Sequence, residues 1–360
     1  MSSIRARDLG LPFPGVPGAF NAITDVPGVR VGYTTLLEPE GRVRTGVTAI
    51  LPREDGGEPM PVWAGTHAFN GNGEMTGTHW IGDGGYFVGP VCITNTHAVG
   101  IVHHACVRWM IDRYGTRFRD HHLWAMPVVA ETYDGVLNDI NGLHVSEAHA
   151  RAALDGAASG PVTEGNVGGG TGMIAYEFKG GTGTASRRLS TGGVEGHVGV
   201  LVQANHGHRE GLTVLGVPVG QHLRDDLVRS REQGSIIVVI ATDLPLLPHQ
   251  LRRLAKRGAI GIGRGGTSGG NSSGDIFLAF SVANPMRLPQ FSDAVWSLSA
   301  LNDEHVDAVY EAAVQGIEEA VINAMVAARD LVALKPAGVV VRGIDHAALR
   351  ETMRRYGRLG

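Results

Sequence analysis

The 360-residue chain is short of cysteine, of charge and of long apolar runs, and each shortage excludes something. Its two cysteines, Cys92 and Cys106, cannot build a disulfide framework or a four-cysteine zinc site, and their apolar surroundings suit buried thiols. Charged residues make up 18% of the chain and the formal charge is −4. With no run of lysine or arginine, that balance argues against a surface for nucleic acid. No apolar stretch approaches the ~18 residues needed to cross a bilayer. Met1 to Asp8 lack the apolar core of a signal peptide, so a cytoplasmic location is the default expectation. Metal patterns are lacking too. His103-His104 and His121-His122 are neighbours whose side chains point apart on any regular element, and no His-Glu-x-x-His occurs. The glycine runs 168–172 and 180–184 have neither the Lys-Ser/Thr of a P-loop nor a full dinucleotide fingerprint, and read as tight turns beside strands. No metal and no cofactor is expected, and His249, after Pro248, reads as structural.

What the chain does have is glycine, 53 residues, about twice the usual ~7%. Spread among apolar strands, it implies many tight turns and close backbone approaches. Hydrophobic residues at 43% supply ample core. Strands are predicted at 28–33, 48–51, 91–94, 126–130, 197–202, 235–240 and 275–281. Helices are predicted at 99–114, 145–154 and 248–256. The longest, 304–331, repeats Val306, Val309, Tyr310, Ala313, Ile317, Ala320, Val321 and Met325 at helical spacing and closes near Leu334, before Pro336. Strands mixed with amphipathic helices indicate a layered α/β domain. No internal repeat or long linker interrupts it.

The most telling junction is Gly234-Ser235, directly before the apolar run Ile236 to Ile240. A charged stretch, 223–234, leads into it and suits an accessible loop. A plain turn into a strand explains the dipeptide. So does a chain that cuts itself there and uses Ser235 as an N-terminal nucleophile. A serine hydroxyl is a weak nucleophile without a base. A new N-terminus would supply an amine on the same residue with a pKa of about 7.7–8.0, close to working pH. Gly234, lacking Cβ, lets a hydroxyl approach its carbonyl.

Collinear segments over most of the chain carry a resemblance. They include Asn21 to Gly32, Gly71 to Gly77, Thr94 to His97, Ala130 to Gly135 and Glu164 to Gly168. Phe178 to Gly181, Leu201 to Asn205, Ala241 to Gln250 and Ser273 to Phe280 complete the set. Together they resemble the L-aminopeptidase/D-esterase and β-peptidyl aminopeptidase family, whose members mature by that cut. The resemblance implies a four-layered αββα sandwich of the self-processing aminopeptidase and ornithine acetyltransferase type. It further implies one catalytic domain made of residues 1–234 and 235–360, assembled as oligomers, tetramers of such pairs.

The same resemblance gives roles to single residues. Ser235 is the nucleophile, freed at Gly234. Ser273 and Asp275 complete a Ser-Ser-acid relay; the β-peptidyl members have glutamate there, and aspartate is one methylene shorter. Turn chemistry also accounts for Asn271 to Asp275. Asn205, at the end of a strand, donates its amide to a developing oxyanion, and Tyr133 lies by the nucleophile. Glu131, two residues before Tyr133, suits the ammonium group of a substrate. The expected activity is removal of N-terminal residues from short peptides, amides or esters, β-peptides among them. The alternatives are an acyltransferase of the related fold, whose nucleophile is usually threonine, and a non-catalytic small-ligand binder.

Overall fold

The computed structural model describes residues 4–38, 41–54, 57–228 and 234–360. Two sheets lie face to face. The smaller runs in the order β1 (Arg30–Leu37), β2 (Arg44–Leu51), β5 (Val91–Asn95), β6 (Val128–Thr132). The larger runs β4 (Tyr86–Phe87), β3 (Val62–Ala68), β12 (Asp275–Ser281), β11 (Ser235–Thr242), β10 (Val194–Asn205), β9 (Gly181–Thr191). Two short hairpins complete the strands among the described residues, β7 (Ile174–Ala175) with β8 (Phe178–Lys179) and β13 (Leu331–Leu334) with β14 (Ala337–Val341).

Strand β11 shows why this sequence folds this way. It is paired on both edges, antiparallel to β10 and parallel to β12, and both of its faces are covered. A strand covered on both faces reads as a continuous apolar run, and Ile236 to Ala241 is one. Ile237, Val239 and Ala241 pack into the space between the sheets, with Ile50, Ile93, Val128 and Ala130 from the smaller sheet. Ile236, Val238 and Ile240 face outward, toward the layer of helices 248–255, 257–264 and 307–326. The outer face of the smaller sheet, Val47, Ala49, Cys92 and Val129, is closed by helices 99–113 and 147–155. The four layers of an αββα sandwich follow. Cys92 and Cys106 are both fully buried there, 3.5 Å apart at sulfur.

Several expectations need correction. The helix predicted over 304–331 spans Asp307–Val326, and Leu331–Leu334 is a strand. Residues 180–184, read as a turn, are mostly strand, because β9 runs from Gly181 to Thr191 along the edge of the larger sheet. Gly168–Gly172 is a short 3-10 helix. Strand β3 and helix 257–264 had no counterpart in the sequence reading. Of the charged stretch before Gly234, residues 229–233 lie outside the described residues.

Candidate active site

The ends of β6, β10, β11 and β12 converge on a cavity of about 500 Å³, lined by Asn72, Gly73, Glu74, Thr96, Glu131, Tyr133, Val136, Gly234, Ser235 and Ser272. Ser235, the first residue of β11, is 6% exposed and faces Asn205, the last residue of β10, across the antiparallel ladder. Its Oγ accepts a hydrogen bond of 3.0 Å from the N–H of Gly274. Gly234 is pressed against the same strand end. A Cβ there would come within 1.6 Å of the Asn205 carbonyl oxygen, so only glycine fits.

Asp275 has the strand parity of Phe277 and Ala279, which pack toward the helices, whereas Ser235 has that of Ile237 and Val239, which pack between the sheets. The link between them therefore runs around the strand ends. Ser273 Oγ donates to Asp275 Oδ1 over 2.6 Å, and both residues are fully buried. Asn70 Nδ2 donates to the other oxygen, Oδ2, over 3.2 Å. Ser273 and Asp275 are thus hydrogen-bonded to each other, and Ser235 Oγ rests on Gly274, the residue between them.

Asn205 is fixed from both sides of its carboxamide. Its Oδ1 accepts from Ile174 N at 2.8 Å, and its Nδ2 donates to the Tyr133 carbonyl at 3.0 Å. That leaves the NH2 group one hydrogen beyond the Tyr133 bond to present elsewhere. Tyr133 follows β6 directly and is partly exposed, its phenol lying over Gly135.

Glu131, at the end of β6, is 3% exposed yet lines the cavity. Its Oε1 accepts from Glu74 N at 2.9 Å and its Oε2 from the Thr96 hydroxyl. Burial pushes its pKa above the usual glutamate value, against the pull of those two donors. The loop that supplies Glu74 also ties the cavity together, since Asn72 Nδ2 donates to Ser272 O at 2.6 Å and Thr76 Oγ1 to Pro127 O at 3.1 Å.

The expected residues Gly234, Ser235, Glu131 and Tyr133 thus share one cavity, and Asn205, Ser273 and Asp275 are buried at the strand ends beside it. Sequence reasoning gave no individual role to Asn72, Glu74, Thr96 or Gly274. Their signal was the polar, glycine-rich segments in which they occur. Among the described residues, no group of three or more His, Cys, Asp or Glu is gathered as a metal site, and no helix is long and apolar enough to cross a membrane.

Comparison with known proteins shows the family and the fold. The model of peptidase family S58 matches residues 21–337. A β-peptidyl aminopeptidase, BapA, of Sphingosinicella microcystinivorans is 50% identical, over 99% of this chain and 93% of its own length. The L-aminopeptidase D-Ala-esterase/amidase of Ochrobactrum anthropi, described as a prototype of the serine aminopeptidases and a variant of the Ntn hydrolase fold, superposes with a TM-score of 0.94. It is 61% identical, with 99% of each chain covered. A β-aminopeptidase from a Burkholderia species superposes with a TM-score of 0.91 at 48% identity, covering 98% of this chain and 99% of its own.

Proposed function

Since the chain belongs to peptidase family S58, we propose that it is a self-processing serine aminopeptidase in which Ser235 is both the agent of its own release and the catalytic nucleophile. The observation that carries this reading is the pairing, in one cavity, of Ser235 at a strand start with the buried carboxylate of Glu131. A nucleophile and an anion for an ammonium group, held by the ends of rigid strands, allow measurement from a substrate's N-terminus.

In maturation, Ser235 Oγ attacks the Gly234 carbonyl carbon, an ester replaces the Gly234–Ser235 amide, and the hydroxyl proton passes to the departing nitrogen. Water then hydrolyses the ester, leaving a Gly234 carboxylate and a free Ser235 amine and hydroxyl. In turnover the freed amine, or the Ser273–Asp275 pair, takes the hydroxyl proton as Oγ attacks the substrate carbonyl. Asn205, with Tyr133, stabilises the oxyanion. The leaving amine or alcohol takes up the proton, and water releases the N-terminal residue from the acyl-enzyme. The substrates are short peptides, amino-acid amides or esters with a free amino group, β-amino residues among them. The processed pairs assemble as a homo-oligomer in the cytoplasm.

Intact mass spectrometry tests the central claim. Purified protein should separate under denaturing conditions into residues 1–234 and 235–360, the second beginning at Ser235. Ser235→Ala should remain one chain and inactive. Active protein that stays full-length refutes the mechanism.

A further inference from the structure

Just upstream of the segment that leads to Gly234, the chain is fastened by two buried, oppositely charged residues that the chemistry above does not use. Arg209 and Glu177 are each 2% exposed. Glu177 forms, with Tyr176, the two-residue turn between β7 and β8, and both have positive φ, 61° and 49°. Such turns favour Asn and Gly; bulkier residues there carry strain of about 1 kcal/mol or more each and persist only when their surroundings hold them.

Arg209 does the holding. Its Nε donates to Tyr176 O and its Nη2 to Glu177 O, both over 2.9 Å, while its guanidinium lies 3.3 Å over the Phe178 ring. The other edge of the same guanidinium reaches away from the turn. Nη1 donates to Leu223 O at 2.7 Å and to Asp225 O at 3.1 Å. The Glu177 carboxylate completes the connection, with Oε1 accepting from Arg209 N at 3.2 Å and Oε2 from Val228 N at 3.0 Å. Asp226 pairs with Arg342 at 2.7 Å. Leu223, Asp225 and Val228 are therefore tied to the hairpin through Arg209 and Glu177. The stitching ends beside the catalytic cavity, because Val228 packs on the cluster of Leu137, Ile174, Ala333 and Val341 on which the cavity residue Val136 also packs.

We propose that Glu177 and Arg209 are positioning residues for self-cleavage, holding the upstream side of the scissile peptide while β11 holds the downstream side. The inference rests on the cut proposed above. Val228, upstream of the scissile bond, and Ser235, directly after it, are both held, which limits where that bond can lie, and misplacing a reacting group by 1 Å can slow a reaction by about a hundredfold. Glu177→Gln turns one acceptor oxygen into an NH2 group, which cannot serve both Arg209 N and Val228 N. Val228→Pro removes the Val228 N–H, together with the valine side chain and the freedom of φ there, and leaves both buried charged residues in place.

The test follows the appearance of fragment 235–360 after a pulse of cell-free synthesis, with melting temperature and kcat per processed molecule measured alongside. Both variants should process roughly ten- to a hundredfold more slowly. Val228→Ala, which keeps the N–H and gives up the same side-chain packing, should process at least about tenfold faster than Val228→Pro, so that the difference between the two reports the N–H. Molecules that have been cut should keep wild-type kcat. Wild-type processing rates in folded Glu177→Gln and Val228→Pro overturn the anchor, as does normal processing with lost kcat. If Glu177→Gln does not fold, Val228→Pro decides alone. A wild-type chain that is never cut refutes the cleavage itself, a result distinct from failure of the anchor.

Discussion

Replacing Glu131 by glutamine isolates the charge proposed to recognise the substrate. Glutamine has the same shape, its carbonyl oxygen can accept from Glu74 N, and its amide can donate to a Thr96 hydroxyl that turns to receive it. The local fold is kept and only the negative charge is lost. A hydrogen bond to a charged group contributes about 1.5–3 kcal/mol, so kcat/KM should fall roughly 10- to 150-fold. With Glu131 only 3% exposed, water replaces little of the lost interaction and the upper half of that range is expected. The fall should appear mainly in KM, since the ammonium group is bound alike in the ground and transition states. The assay compares an aminoacyl anilide with its N-acetylated form; the wild type should strongly prefer the free amine and Glu131→Gln should lose most of that preference. The raised pKa of Glu131 adds a second reading. Wild-type KM should rise as pH falls through a value above the ordinary ~4.3, and the variant should lack that rise. A variant with unchanged kcat/KM and unchanged preference refutes the role.

Asn205→Ala should lower kcat of processed enzyme by roughly 10²–10³, the loss of one oxyanion donor. It should also lower the urea midpoint, because Ile174 N and the Tyr133 carbonyl lose their partner; near-normal kcat would reduce Asn205 to a structural tie. Ser273→Ala with Asp275→Ala should be little worse than the poorer single variant, as residues acting as a unit are, whereas fully additive losses break the relay. Asp134, fully buried, has its carboxyl pushed up to about 7, chiefly by desolvation. Its folded value lies above the unfolded ~3.9, so its contribution to stability is present below that value and lost as pH rises through about 7. Glu164, also pushed up to about 7 by burial, adds its own part, so Asp134→Asn should reduce this decline, read as urea midpoints between pH 4 and 8, and an unchanged decline would show that Asp134 does not contribute to it.

What the sequence disclosed, and what it hid, follows from burial. Strand β11 was legible because both of its faces are covered, which leaves an unbroken apolar run. Strand β9 was not, because its start, Gly181-Thr182-Gly183-Thr184, is small where helix 307–326 crosses it. A Cβ on Gly183 would lie 2.0 Å from the Ala320 carbonyl oxygen, so tight helix–sheet contact selects glycine where propensity favours a branched residue. The run Leu331 to Leu334 was absorbed into the preceding helix, since a short apolar run fits either period. Within the site, residues at strand starts and ends were identified from chemistry and resemblance. The donors Gly274 N and Glu74 N were not, because a backbone N–H leaves no mark in the side-chain sequence.

The order of strands in the larger sheet has a consequence for the life history of the molecule. Residues 1–234 supply β3 and β4 on one side and β9 and β10 on the other, while β11 and β12 from residues 235–360 fill the middle. If the backbone is severed at Gly234, as proposed, the two polypeptides are interleaved, and neither can leave without tearing main-chain ladders on both flanks. Refolding of the mature enzyme from denaturant then becomes a second-order encounter of two chains, slower on dilution, whereas the uncut precursor folds as one chain at a rate independent of concentration. The proposed maturation would then act as a ratchet: assembly comes first, and severance afterwards makes unfolding hard to reverse.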